Sequence, residues 1–138
     1  MITALDTNVL SDLLDQTPRS AAVSSRLGGY VRQGPLVICG VVYAELHGRR
    51  NTSRAAIDTF LTNTGIRLDP IMSEDAWAEA GRANADYHAR KRAGGERGIR
   101  PVLPDFLIGA HALDRADRLF TLNAADFSDF PALRVVTL

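Results

Sequence analysis

An α/β fold, a central parallel sheet with helices on both faces, is predicted by three features of this 138-residue chain. Short apolar runs alternate along its whole length with segments of helical periodicity. The run Leu36-Val37-Ile38-Cys39 is apolar without alternation, as expected of a strand covered on both sides. The first run, Ile2-Thr3-Ala4-Leu5, passes straight through Asp6 into a helical pattern. Strands joined in this way by right-handed crossovers line up in parallel.

In the order of the chain, the first strand ends in the carboxylate of Asp6. Thr7 reads as the N-cap of a helix that carries Val9, Leu10, Leu13 and Leu14 at helical spacing. Residues 16–20 form a turn, and 20–32 a second helix that Gly28 and Gly29 weaken. Gly34-Pro35 breaks the chain before the second strand, Leu36 to Cys39. Gly40 marks the exit, and 41–49 form a helix with Glu45 among apolar neighbours. Glu45 reads equally as an acid held at the edge of the sheet or as part of a solvated face leading to His47, Arg49 and Arg50.

Ser53 caps a helix whose stripe of Ala56, Ile57, Phe60 and Leu61 faces the core, and Asn63-Thr64-Gly65 ends it. Residues 67–71 make a short third strand. Ser73 then caps a long helix, with Glu74 and Asp75 in its first turn and Trp77 as a core residue. From 82 to 100 the charge turns positive, with Arg82, Arg90, Lys91, Arg92, Arg97 and Arg100 against Asp86 and Glu96. Such a run is either a solvated helix end and loop or an arm facing phosphates. Pro101 and Pro104 lead to Asp105 in the first turn of an apolar helix, where Gly109, Ala110 and Ala112 allow close approach to the sheet. His111, further along, faces away from Asp105 and reads as a packed core histidine. Residues 118–122 form the fourth strand, followed by Asn123-Ala124-Ala125-Asp126-Phe127, and 133–137 an alternating edge strand.

Composition narrows the function classes. Hydrophobic residues at 46% and charged residues at 23% describe a globular protein, and sixteen basic side chains balance sixteen acidic ones, so net charge favours no partner. The chain is short enough for one domain, 1–138. Its single cysteine, Cys39, excludes a disulfide framework and reads as a small buried hydrophobe. No signal-like start is present, and the apolar run 36–44 is too short to cross a bilayer, so a cytoplasmic protein without membrane contact is expected.

Asp6, Glu45, Asp105 and Asp126 each have an innocent reading, yet all four fall just past a strand or at the start of the helix after one. Crossover geometry brings such positions to one edge of the sheet. Carboxylates gathered there repel one another and resist desolvation unless a cation is present. All-oxygen donors suit Mg²⁺ or Mn²⁺, and such a site suits phosphodiester hydrolysis by activated water. Neither a P-loop nor a GxGxxG turn is present, and no Ser/His/Asp set is ordered by the chain. A haloacid-dehalogenase-type phosphatase would want a second Asp at Asn8, and a receiver domain would want paired acids early and a Lys after a late strand.

The segments Leu5-Asp6-Thr7-Asn8, Tyr43-Ala44-Glu45-Leu46, Pro104-Asp105-Phe106-Leu107-Ile108-Gly109-Ala110 and Thr121-Leu122-Asn123-Ala124-Ala125-Asp126-Phe127 resemble the PIN-domain nucleases, specifically the VapC toxins of prokaryotic VapBC toxin–antitoxin pairs. The match spans nearly the whole chain in the family's order. It implies a flavodoxin-like α/β/α sandwich, Mg²⁺-dependent endoribonuclease activity, a homodimer, and silencing by a VapB-type antitoxin whose tail enters the active site. By resemblance Asp6 and Asp105 are the principal metal ligands, Glu45 and Asp126 complete the acidic quartet, and Asn8 and Thr121 are supporting polar groups. In the wider family an Asp can stand at the position of Asn123, which leaves the fourth ligand open between Asp126 and Asn123. At Gly40-Val41-Val42-Tyr43 the chain departs from relatives that carry hydroxyl residues there. The rival expectation is a PIN-like module that binds RNA or a partner without cutting it.

Overall fold

The computed structural model describes residues 1–95 and 101–138. Five strands, β1 (Thr3–Leu5), β2 (Leu36–Cys39), β3 (Arg67–Asp69), β4 (Arg118–Phe120) and β5 (Val135–Val136), form one sheet of order β3-β2-β1-β4-β5. Every pairing is parallel, as expected. Six helices connect the strands: α1 (Thr7–Asp15), α2 (Ser20–Val31), α3 (Gly40–Leu46), α4 (Arg54–Thr64), α5 (Glu74–Ala93) and α6 (Leu103–Arg115). Right-handed crossovers carry β1→β2→β3 across one face and return to β4 across the other, which makes three layers. The order therefore reverses between β1 and β4, where doubly wound sheets open a crevice at their carboxyl edge.

The local signals act largely as read. Ser53 Oγ accepts the Ala56 N–H and Ser73 Oγ the Ala76 N–H, so both helices start at a serine cap. Gly65 closes α4 in the left-handed region at φ 71°. The acids Glu74 and Asp75 and the bases Arg90, Lys91 and Arg92 complement the two ends of the α5 dipole. Below the opposite edge of the sheet, the buried Arg118 stacks 3.9 Å over Tyr30 and donates to Thr3 Oγ1 and Gln33 Oε1, joining β4, β1 and the end of α2.

Several readings are corrected. The cap of α1 is Asp6, whose Oδ1 accepts the Thr7 N–H, because Asp6 still has the extended backbone of the strand and Thr7 is already helical. Trp77 is 54% exposed. The side of α5 buried in the protein is built from Ala76, Ala80 and Ala83, small enough for α5 and α6 to pack closely, and Trp77 lies about 100° round the helix from Ala76. Gly109 makes room for neighbouring rings: a Cβ there would lie 2.8 Å from Phe130 and 3.2 Å from Phe127. His111 is buried, as read, and its Nε2 lies 3.1 Å from Asp69 Oδ2, a carboxylate that also takes Arg115 Nε at 2.9 Å. Among the described residues no helix is long and apolar enough to cross a membrane.

Candidate acidic site at the strand ends

Asp6 leaves β1 at the reversal point, and its backbone N–H donates to Phe120 O of β4 (3.0 Å). Its side chain is held at both oxygens, Oδ1 by the Thr7 N–H (2.7 Å) and Oδ2 by the Thr121 hydroxyl (2.7 Å). Thr121, directly after β4 and fully buried, also accepts from Asn8 Nδ2 (3.3 Å) and the Asn123 N–H (3.0 Å). One donor and two lone pairs are then all in use, so the hydroxyl has a single orientation. Asn8 completes the frame by accepting the Leu122 N–H at Oδ1 (3.1 Å).

Two further acids reach this frame. Glu45, exposed on α3, takes the Thr7 hydroxyl at Oε1 (2.7 Å). Asp126, half-buried in the 3₁₀ turn Ala124–Phe127, takes the Asn123 side-chain N–H at Oδ2 (2.8 Å). Asp6 is only 5% exposed. Burial pushes its pKa up, the bonds from Thr121 and Thr7 oppose that shift, and repulsion from Glu45 and Asp126 adds to it. Both outer carboxylates therefore bear on Asp6.

Asp105 lies in the first turn of α6, three residues after the Val102 cap, so it is not itself the N-cap residue. A helix that precedes a strand in a parallel sheet starts at the carboxyl edge, and α6 packs against the Glu45-bearing α3, so Asp105 approaches from the same side. Among the described residues no three Asp, Glu, His or Cys side chains stand close enough to hold one ion as they lie. The donor chemistry nonetheless fits a hard divalent cation, since every acid offers oxygen and Asp6 carries repulsion that a cation would relieve.

Of the basic residues, Arg90, Lys91 and Arg92 occupy the last turn of α5. Arg90 lies 2.9 Å from Asp129 Oδ1, and Lys91 Nζ lies 5.5 Å from the Tyr87 ring centre. Arg97 and Arg100 lie outside the described residues. The sequence reading missed Thr7 as the partner of Glu45. A hydroxyl directly after the strand-end acid was the available signal, and the capping explanation absorbed it.

The sequence matches the family model for the PIN domain over residues 3–133. Among solved structures it is similar to VapBC2 from Rickettsia felis bound to a DNA fragment from its promoter, at 23% identity and TM-score 0.70, over 100% of this chain and 99% of that one. It is similar to VapBC-1 from nontypeable Haemophilus influenzae at 24% identity and TM-score 0.71, over 99% and 98% of the two chains. DNA-bound VapBC from Salmonella typhimurium aligns at 19% identity and TM-score 0.69, over 99% and 98%. At these identities the likeness is one of fold. No curated protein matches the chain.

Proposed function

The chain belongs to the PIN domain family, and from that premise we propose that it is a metal-dependent endoribonuclease and the toxin of a VapBC-type toxin–antitoxin pair. The observation that carries this reading is the buried Asp6, fixed by Thr7 and Thr121 at the point where the strand order reverses, with Glu45 bonded to Thr7 and Asp126 to Asn123 beside it. Asp6, Glu45, Asp105 and Asp126 would hold Mg²⁺ or Mn²⁺. A divalent cation bound there supplies water of lowered pKa and neutralises phosphate charge. Asp6 is the rigid member, fixed by Thr121 and Thr7, while Glu45 and Asp126 are exposed enough to turn toward it. Asn8 orients Thr121, and Asn123 directs its amide N–H to Asp126, which supports Asp126 rather than Asn123 as the fourth ligand.

Lys91 and Arg92 at the end of α5, with Arg97 and Arg100 beyond it, would contact RNA phosphates; Arg90 joins them only when it leaves Asp129. The family match from residue 3 to 133 supports 1–138 as one PIN domain. The VapBC structures are toxin–antitoxin complexes, and a VapB-type antitoxin is the corresponding partner here. An apolar cleft of about 400 Å³ between α1, α2 and α4, lined by Leu13, Leu27, Val31 and Phe60, suits a peptide from such a partner. A homodimer is supported by the exposed Trp77 and Ile71 beside an apolar hollow of about 260 Å³. Cleavage of cellular RNA would place the protein in the cytoplasm.

The rival, an RNA- or partner-binding module without cleavage, is favoured by the spacing of the acids among the described residues. Purified protein free of antitoxin, incubated with structured RNA, separates the two. Cleavage in Mg²⁺ that stops in EDTA is expected, and metal-independent binding without cleavage would overturn the enzyme reading. Asp105→Asn should abolish cleavage while folding normally. Mg²⁺ should raise the melting point of the wild type and do much less for the variant, since a ligand stabilises only the state that binds it.

A further inference from the structure

Asp126 sits on a short connection between β4 and β5. Its near end is tied to the sheet by the Asn123 N–H on Thr121 Oγ1. Beyond the 3₁₀ turn the chain continues through single-bond turns, Ser128 N–H to Ala125 O (3.4 Å) and Phe130 N–H to Phe127 O (3.0 Å). Three residues after Asp126, Asp129 meets two cations from one side of α5, eight positions apart. Arg82 Nη2 donates to the Asp129 carbonyl oxygen (2.8 Å), and Arg90 Nη2 lies 2.9 Å from its carboxylate Oδ1. The Asp129 side chain is only 14% exposed, while that of Arg82 is 42% and that of Arg90 57% exposed.

We propose that Arg82 and Arg90, acting through Asp129, are positioning residues that set where Asp126 stands and hence how tightly the site grips its divalent cation. This inference rests on the metal-dependent nuclease reading. Ion pairs this exposed contribute little to global stability. Phe127 and Phe130 are buried on either side of Asp129 and successive turn bonds join Asn123 to Leu133, so the segment moves as one piece and a shift at Asp129 reaches Asp126. A displacement of about 1 Å at a reacting site can lower the rate roughly 100-fold. The same geometry engages Arg90 with Asp129 rather than with phosphate.

The test measures Mn²⁺ binding directly by electron paramagnetic resonance and calorimetry on the full chain, for wild type, Asp129→Asn and the double variant Arg82→Gln/Arg90→Gln. Mn²⁺ affinity should fall about 10-fold or more in both variants, as when outer partners of metal ligands are removed. Amide exchange over residues 124–128 should quicken while the melting points stay near the wild type. The charge-exchanged pair Arg90→Asp/Asp129→Arg should recover part of the affinity. Unchanged Mn²⁺ affinity and unchanged exchange in both variants would overturn the inference alone. Tighter RNA binding by Asp129→Asn at unchanged Mn²⁺ affinity would do the same and make Asp129 a mask over an RNA-binding Arg90. A wild type that binds no Mn²⁺ would overturn the nuclease reading, and this inference with it.

Discussion

Asp6 caps α1 with one oxygen and receives Thr121 with the other, and burial together with two neighbouring acids still raises its pKa. Asn keeps the cap and removes the charge. It also turns an NH2 group toward the Thr121 hydroxyl, whose lone pairs are already taken, so the relieved repulsion is offset by a lost buried bond. Asp6→Asn should therefore melt within a few degrees of the wild type at neutral pH without added metal, while cleavage falls more than about 100-fold, beyond the usual cost of losing an outer partner of a metal site. Thermal melts beside a cleavage assay check both halves. Asp69, at the end of β3, and His111 form a second titratable pair, whose shifts add to the acid sensitivity of the fold. The Arg115 bonds hold Asp69 below its usual 3.8, and burial holds His111 below 6.5 even though Asp69 pulls the other way. For His111 the unfolded chain binds the proton more readily, so its contribution is complete above pH 6.5 and declines as pH falls from there through the folded pKa. Asp69 contributes above its unfolded value and loses that contribution below 3.8. His111→Gln should flatten the loss of melting temperature between pH 7.5 and 5.5 and leave the fall below pH 4 in place.

At the scale of elements, α6 meets the β4–β5 connection through the missing side chain of Gly109. An Ala there gains up to about 1 kcal/mol of helix propensity. Its Cβ would lie 2.8 Å from the ring of Phe130, which is buried with Phe127 and has no space into which to turn. Overpacking of this kind costs roughly 1–3 kcal/mol, so Gly109→Ala should be net destabilising. Activity should drop further than stability does, because the displaced rings belong to the segment that carries Asp126. Denaturant titration paired with cleavage rates shows whether the two losses separate. The pairing of α5 with α6 depends on smallness in the same way, through Ala76, Ala80 and Ala83.

For the molecule as a whole, the strand order β3-β2-β1-β4-β5 makes β1 and β4 neighbours although 112 residues separate Leu5 from Arg118 in number, so Asp6 and Thr121 meet only when the sheet is complete. Any partial unfolding that detaches β4 therefore dismantles the site. The face bearing Trp77 and Ile71 belongs to this scale too, since more than half of each residue is left exposed by the chain itself. Trp77→Glu should convert the proposed homodimer to a monomer of unchanged secondary structure, as read by light scattering and circular dichroism. A wild type that is already monomeric at micromolar concentration would remove the dimer from the proposal.

The alternating strands and helices, the serine caps and the four acids at element boundaries were all legible in the residues, because periodicity, capping chemistry and the placing of acids after apolar runs are local properties of the chain. Tertiary structure alone decided the partners. Thr7 was readable as a polar residue at a helix start, but whether its hydroxyl served its own backbone or Glu45 depended on α1 and α3 arriving side by side. Trp77 had the composition of a core residue and became exposed because α5 turned its alanines inward. Asp129 carried no signal at all until α5 brought Arg82 and Arg90 to it. The physical reason is common to the three: a side chain's local preference is set within a few residues, whereas its hydrogen-bond partner and its exposure are set by which distant elements pack against it.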